Sequence, residues 1–204
     1  MSKCVLLSVR PQYCERIANG KKTIEVRKSR PKLETPFKCY IYQTKPKDRL
    51  ITIMRDGDEN YGEIYHGKPV FIKTYGEDYW TGRNQKVIGE FVCDKMYGIY
   101  YSICPHDPPV FEEIGTLNRP NVMGETCLSA IEINDYLDGE TGYGWHISDL
   151  QIYDKPRELS EFMKCKAPYD CCACDLWDEK YLTCGRKVRP PESWCYVEEY
   201  DGKR

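Results

Sequence analysis

The sequence predicts an α+β fold: a small mixed β-barrel with two short helices and a cysteine-rich C-terminal appendage. Three observations lead there. Short runs of β-branched and aromatic residues recur through residue 162, with turn signals between them. Helical periodicity appears only twice and does not alternate regularly with the strands, which argues against a parallel doubly wound sheet. Beyond residue 162 the apolar patterning gives way to closely spaced cysteines.

Each element has its own signal. "CVLLSV" (4–9) is an apolar strand, and Pro11 suits the first turn of a helix through "PQYCERIAN" that ends on Asn19-Gly20. Thr23 to Arg27 alternates, placing Ile24 and Val26 on one face and Thr23, Glu25 and Arg27 on the other. "FKCYIYQT" (37–44) is a strand by its aromatic and β-branched content. Residues 50–86, rich in Gly, Asp and Asn, read as a long insertion with one strand at "PVFIK". "KVIGEFVCD" and "YGIYYSI" resume strand character, and a proline-rich loop follows. "LSAIEINDYLDG" is a helix, with Ser129 and Glu132 spaced as a capping box and Gly139 at its end. "YGWHISDLQIYD" is one further strand, and "KPRELSEF" a short turn or helix beyond it. The barrel domain is therefore expected over 1–162, with its insertion at 50–86, and the cysteine-rich segment over 163–204.

Composition narrows the classes of function. The 204-residue chain carries 30 Lys plus Arg against 32 Asp plus Glu, a formal net charge of −2. No bulk positive field draws it onto nucleic acid, so DNA is not an expected partner and any RNA contact has to be local. No apolar run approaches the roughly 20 residues of a membrane helix, and the first residues are too short for a secretory signal, so a cytoplasmic protein without membrane contact is expected. Cys4, Cys14, Cys39, Cys93 and Cys127 sit singly in apolar stretches and read as small buried hydrophobes of a reducing compartment.

The stretch "LLSVRPQYCERIANGKKTIEVRK" resembles the start of an ASCH domain, a member of the PUA-like superfamily, whose motif is Gly-x-Lys-x-x-Glu-x-Arg. Here that motif is Gly20, Lys22, Glu25 and Arg27, preceded by the expected strand and helix. "KVIGEFVCD" resembles the family's central strand and "WHISDLQIYDKPRELSEF" its closing strand. The resemblance implies a PUA-like pseudobarrel whose cleft is lined by the motif and binds RNA or a modified nucleoside. Some small family members deacylate N4-acetylcytidine with a motif lysine, a threonine nucleophile and a glutamate. Lys22 matches the lysine, the nucleophile position falls on Glu25, and Thr23 stands out of register. A hydrolase of N-acylated nucleosides, or a ribonuclease using Lys22 and a carboxylate, is thus the alternative to a binding module.

The residues have compatible chemistry beside the resemblance, although taken alone a charged alternate face reads as solvated, and it is the resemblance that turns the choice toward a site. Glu25 and Arg27 on one strand face lie about 7 Å apart, close enough to orient one another and still meet a ligand. A lysine at the helix-to-strand turn can approach a phosphate or carbonyl oxygen. The competing reading is a solvated strand face with surface ion pairs worth under about 1 kcal/mol each. With 17 Tyr and 4 Trp, some rings are expected to stack on bases, each worth about 1 to 3 kcal/mol. Tyr42 and Trp145 are the candidates, core packing being the alternative. His146 is a candidate general acid or base because imidazole ordinarily titrates near neutral pH. Glu90 is a carboxylate among apolar neighbours, and Ser8 and Arg10 are peripheral candidates at the end of the first strand.

In the tail, Cys171 and Cys174 form a Cys-x2-Cys knuckle followed by Cys184 and Cys195. Four thiolates in that order can close a tetrahedral, structural Zn2+ site that supplies the segment's folding energy. Cys165 and Cys172 are alternative ligands, and a disulfide or redox arrangement is the competing chemistry. "RPPESWCYV" is expected to return the chain to the barrel. The insertion and the tail are also candidate surfaces for a protein partner.

Overall fold

A computed structural model describes residues 3–45, 64–65, 68–69, 85–101, 107–116, 118–162, 177–178, 183–184 and 190–200. Its elements in chain order are β1 (Lys3–Val9), α1 (Pro11–Ala18), β2 (Ile24–Arg27), β3 (Phe37–Gln43), β4 (Ile64–Tyr65), β5 (Lys68–Pro69), β6 (Lys86–Cys93), β7 (Met96–Tyr100), β8 (Val110–Glu113), α2 (Ala130–Leu137), β9 (Gly142–His146), β10 (Ser148–Glu158), β11 (Trp177–Asp178), β12 (Thr183–Cys184) and β13 (Trp194–Glu198). A 3-10 turn, Met123–Thr126, precedes α2, and another, Leu159–Glu161, follows β10. A five-stranded sheet has the order β10-β6-β3-β1-β13 and a four-stranded sheet the order β2-β9-β7-β8; β4 pairs with β5 and β11 with β12. The fold is α+β, with mixed sheets and two short helices.

The described residues divide into two compact units, one drawn from 1–15, 40–89 and 152–204, the other from 16–39 and 90–151. In the first, β13 runs antiparallel to β1, with Leu6 opposite Cys195 and Cys4 opposite Val197, so "SWCYV" does return to a sheet as its pattern suggests. Cys4, Leu6, Tyr40, Tyr42, Val87, Phe162 and Val197 form the core there. Tyr200 stacks on Phe162 and accepts a hydrogen bond from Arg157, while its backbone N–H donates to the Tyr40 hydroxyl.

In the second unit, alternation along β2 turns Ile24 and Val26 into a core shared with Tyr97, Ile99, Phe111, Ile133 and Leu137. Gly142 is required where β9 passes α2, because a Cβ there would meet Leu137 Cδ2 at 2.5 Å. The capping box of α2 forms as its spacing predicts: Glu132 N–H donates to Ser129 Oγ at 3.2 Å, and Ser129 N–H donates to the Glu132 carboxylate at 2.8 Å. That reciprocal bonding, led by the backbone bond from Ser129, holds the Glu132 carboxyl below its usual value against a smaller opposing effect of burial. Asp138 and Gly139 close the helix in left-handed conformations.

Three expectations need correction. "YGWHISDLQIYD" is two strands, β9 and β10, which belong to different sheets and part at Ile147. "KPRE" is strand rather than turn, because β10 is the edge of its sheet, where Pro156 need not donate a ladder hydrogen bond. The proline-rich loop contains β8, which pairs with β7 through Ile99 opposite Phe111. Of the expected strand "PVFIK" only Pro69 is described, as the end of β5, and the rest of that strand and most of the insertion lie outside the described residues.

Candidate functional site

The site begins at the α1–β2 turn. Gly20 holds φ +73° and its N–H donates to Ile17 O at 2.9 Å, while Lys22 N–H donates to Arg16 O at 2.9 Å. Gly20 suits this position because a side chain would strain that backbone conformation. The turn is clamped from across the unit: Thr23 N–H donates to Glu125 O at 3.0 Å and the Thr23 hydroxyl to the Glu125 carboxylate at 2.7 Å. Lys22 is thereby aimed inward and is 2% exposed. Its ammonium donates to the carbonyls of Ile24 at 2.8 Å and Thr126 at 2.7 Å.

Thr126 ends the 3-10 turn, where backbone carbonyls lack helical partners. Its own hydroxyl donates to Met123 O at 2.7 Å and accepts from Leu128 N–H at 3.1 Å, which fixes the turn that presents its carbonyl. Nothing in the sequence pattern marks Thr126 as a partner of Lys22.

Glu25 lies between two cations. Its Oε2 is 3.2 Å from Lys22 Nζ and its Oε1 2.8 Å from Arg27 Nη2. The two contacts differ in kind, since Oε2 has no aligned hydrogen bond among the described residues, so its attraction to Lys22 is that of charge alone. Glu25 and Arg27 are each 6% exposed, so this end of the polar strand face is buried and not solvated. The cluster thus joins two cations to one carboxylate in a buried setting. Burying such a group costs desolvation that apolar residues would avoid.

Register places the other candidates. Glu25 stands opposite Trp145, and Arg27 opposite Tyr143, so all four share a face of the β2–β9 pair. Trp145 is fully buried and packs edge-on against Phe37 at 5.8 Å. His146 stands opposite Ile24 and so belongs to the other face. There its Nδ1 lies 2.6 Å from Asp94 Oδ1. Burial works to raise the Asp94 carboxyl, but the His146 hydrogen bond and charge outweigh it and hold the group below its usual value. Sequence reasoning misses Asp94, since a lone Asp after a strand carries no signal by itself. Glu90 is partly exposed and pairs with Lys38 at 3.2 Å.

The remaining candidates belong to the first unit. The Ser8 hydroxyl donates to Pro191 O at 2.6 Å and its N–H to Ser193 O at 2.9 Å, tying β1 to the returning tail. Arg10 is exposed, and its carbonyl accepts from Tyr13 and Cys14 N–H as α1 begins. Tyr42 is 2% exposed within the core, where burial pushes its hydroxyl pKa up. Of the cysteine quartet, Cys171 and Cys174 lie outside the described residues, as does the side chain of Cys184; Cys195 is half-buried on β13.

A model of the ASCH domain family matches residues 7–57, a span that contains Gly20, Lys22, Glu25 and Arg27. Among solved structures, ASCH from Zymomonas mobilis superposes with a TM-score of 0.51 at 16% identity, covering 96% of this chain and 87% of that one. A tyrosine-to-phenylalanine variant of the Zymomonas mobilis protein aligns at a TM-score of 0.48 and 16% identity over 98% of this chain and 93% of its own. No curated protein sequence matches the chain. At 16% identity the likeness is one of fold, and it agrees with the α+β architecture described above. Among the described residues no helix is long and apolar enough to cross a membrane.

Proposed function

We propose that the Lys22–Glu25–Arg27 cluster is the recognition centre of a module that binds RNA or a modified nucleoside. The observation that carries this reading is Glu25 Oε2: a buried carboxylate oxygen with no aligned hydrogen bond among the described residues, beside the Lys22 ammonium, while Oε1 of the same group meets Arg27. A buried acceptor in that state gains most from a ligand donor, and the exocyclic amino group of a base is such a donor. Lys22 acts by fixing Glu25, because its ammonium is already directed at two carbonyls. The Arg27 guanidinium suits the phosphate or carbonyl oxygens of the same ligand. The ASCH match supports the nucleic-acid class, since the PUA-like fold is associated with RNA binding.

The test is titration of the purified protein against a panel of modified nucleosides, including N4-acetylcytidine, and short single-stranded RNAs, with each mixture also analysed by chromatography and mass spectrometry. Binding that weakens about tenfold or more in Glu25→Gln is the expected result. Release of the acetyl group, lost in Lys22→Ala, would instead establish the hydrolase. Binding left intact by both substitutions would refute the assignment of the site.

A further inference from the structure

The second unit carries a small cleft that shares no lining residue with the Lys22–Glu25–Arg27 cluster. Its walls come from three places in the chain: Arg30 and Thr35 from the link between β2 and β3, Asp94 and Lys95 from the β6–β7 turn, and Glu113 from the end of β8. Backbone hydrogen bonds fix these walls without a ligand. The Lys95 carbonyl accepts from His146 N–H at 3.0 Å, Ile114 N–H donates to Met96 O at 2.8 Å, and Glu113 N–H donates to Asn118 O at 2.9 Å. The Arg30 guanidinium is braced by the Tyr143 ring, 5.8 Å from its centroid. Two cations and two carboxylates line the cleft, but they are not equally available. Asp94 is held by His146 at 2.6 Å, and Glu113 accepts from Asn118 Nδ2 at 3.3 Å. Arg30 and Lys95 have no ion pair with any described residue, and the Thr35 hydroxyl has no hydrogen bond to one. The groups left to meet a ligand are therefore a guanidinium, an ammonium and a hydroxyl, all of them donors.

We propose that this cleft is a binding site for a single phosphate group, whose oxygens meet Arg30, Lys95 and Thr35. Size is the first argument. The cleft's volume is about 80 Å3, the room of two or three waters at about 30 Å3 each. That is well below the roughly 300 Å3 at which a pocket encloses a whole small-molecule ligand, so it admits a group and leaves the rest of the ligand outside. Charge is the second. A phosphate monoester carries about 1.5 to 2 negative charges at neutral pH and three acceptor oxygens, which match two cations and a hydroxyl. The planar fork of Arg30 can take two of those oxygens at once, and Lys95 supplies a point charge. A carboxylate would bring one charge and leave a cation unmatched. The carboxylates of Asp94 and Glu113 in the same walls set an upper limit, because they repel the added charge of a second phosphate group. Free phosphate and the terminal phosphate of a nucleotide share this chemistry.

The test titrates the full chain with inorganic phosphate, cytidine 5′-monophosphate and acetate at constant ionic strength, followed by 1H–15N chemical shifts. Both phosphates are expected to saturate with a Kd of about 1 mM or below, moving the amides of Arg30, Thr35 and Lys95, and acetate to bind about tenfold more weakly or less. Arg30 and Lys95 are exposed, so Arg30→Gln and Lys95→Gln are expected to keep the fold and each to weaken phosphate about tenfold. Glu25→Gln is expected to leave inorganic phosphate binding as it is, which separates this site from the recognition centre. Tighter binding of the nucleotide than of phosphate names a nucleotide as the source, and equal binding names the free anion; either result sustains the site. The proposal is overturned if inorganic phosphate does not saturate, if its affinity survives both Arg30→Gln and Lys95→Gln, or if acetate binds as tightly.

Discussion

Lys22 Nζ lies 2.7 Å from the carbonyl oxygen of Thr126, 104 positions away in the chain. One ammonium thus ties β2 to the 3-10 turn before α2 and holds the Glu25 carboxylate at the same time. Lys22→Met removes the cation and leaves Glu25 and two carbonyls under-satisfied in a buried setting. The expected loss is about 3 to 5 kcal/mol of stability. Urea unfolding checks it, and a loss below about 1 kcal/mol would mean that the cluster does not hold the turn.

The capping box at Ser129 makes stability depend on pH. Glu132 has a folded value below its ordinary 4.5, so its contribution is present above that pH and is lost as pH falls through the lowered folded value. Between about pH 5 and pH 3 the urea midpoint of the wild type is therefore expected to fall more steeply than that of Glu132→Gln. Ser129→Ala is expected to cost about 1 kcal/mol at neutral pH.

Thiol labelling reads burial directly. Cys4, Cys14, Cys39 and Cys93 are at most 1% exposed, whereas Cys127 and Cys195 are partly exposed. Iodoacetamide at pH 8, followed by peptide mass mapping, is expected to modify Cys127 ahead of Cys4, Cys14 and Cys39 and to spare Cys93, whose thiol stays protonated there. Early labelling of Cys93 would contradict the packing around it.

Gly142→Ala is expected to destabilise by about 1 to 3 kcal/mol, because the new methyl meets Leu137 in the core at 2.5 Å and the Arg27 carbonyl at 3.2 Å. Gly124→Ala, with no atom within 4 Å of the added Cβ, is the control and is expected to change the thermal midpoint little.

The spacing of Cys171, Cys174, Cys184 and Cys195 predicts one zinc per chain. Metal analysis of protein purified without chelator checks the stoichiometry. Cys171→Ser is expected to abolish it, and a metal-free wild type that retains its stability would remove zinc from the account.

Local chemistry is legible in the amino-acid sequence by itself. The pair Ser129 and Glu132 announces α2, Pro11 and Gly20 bracket α1 and its turn, and alternation from Ile24 to Arg27 assigns each residue its face. These signals lie within a few residues of what they specify, so propensity and periodicity carry them. The motif lysine, glutamate and arginine stand together in the chain for the same reason, within six residues of one another.

What covers the polar face of β2 was decided only by the tertiary structure. Alternation separates two faces but contains no information on whether the second meets water, and in the fold Glu25 stands opposite Trp145 with both Glu25 and Arg27 buried. The same pairing placed neighbouring Trp145 and His146 on opposite faces and sent His146 to Asp94. The break at Ile147 escaped the pattern because apolar residues continue through a strand that changes sheets. Thr126 was invisible for a further reason: it meets Lys22 through a backbone carbonyl, a group every residue carries, so only the path of the chain could single it out.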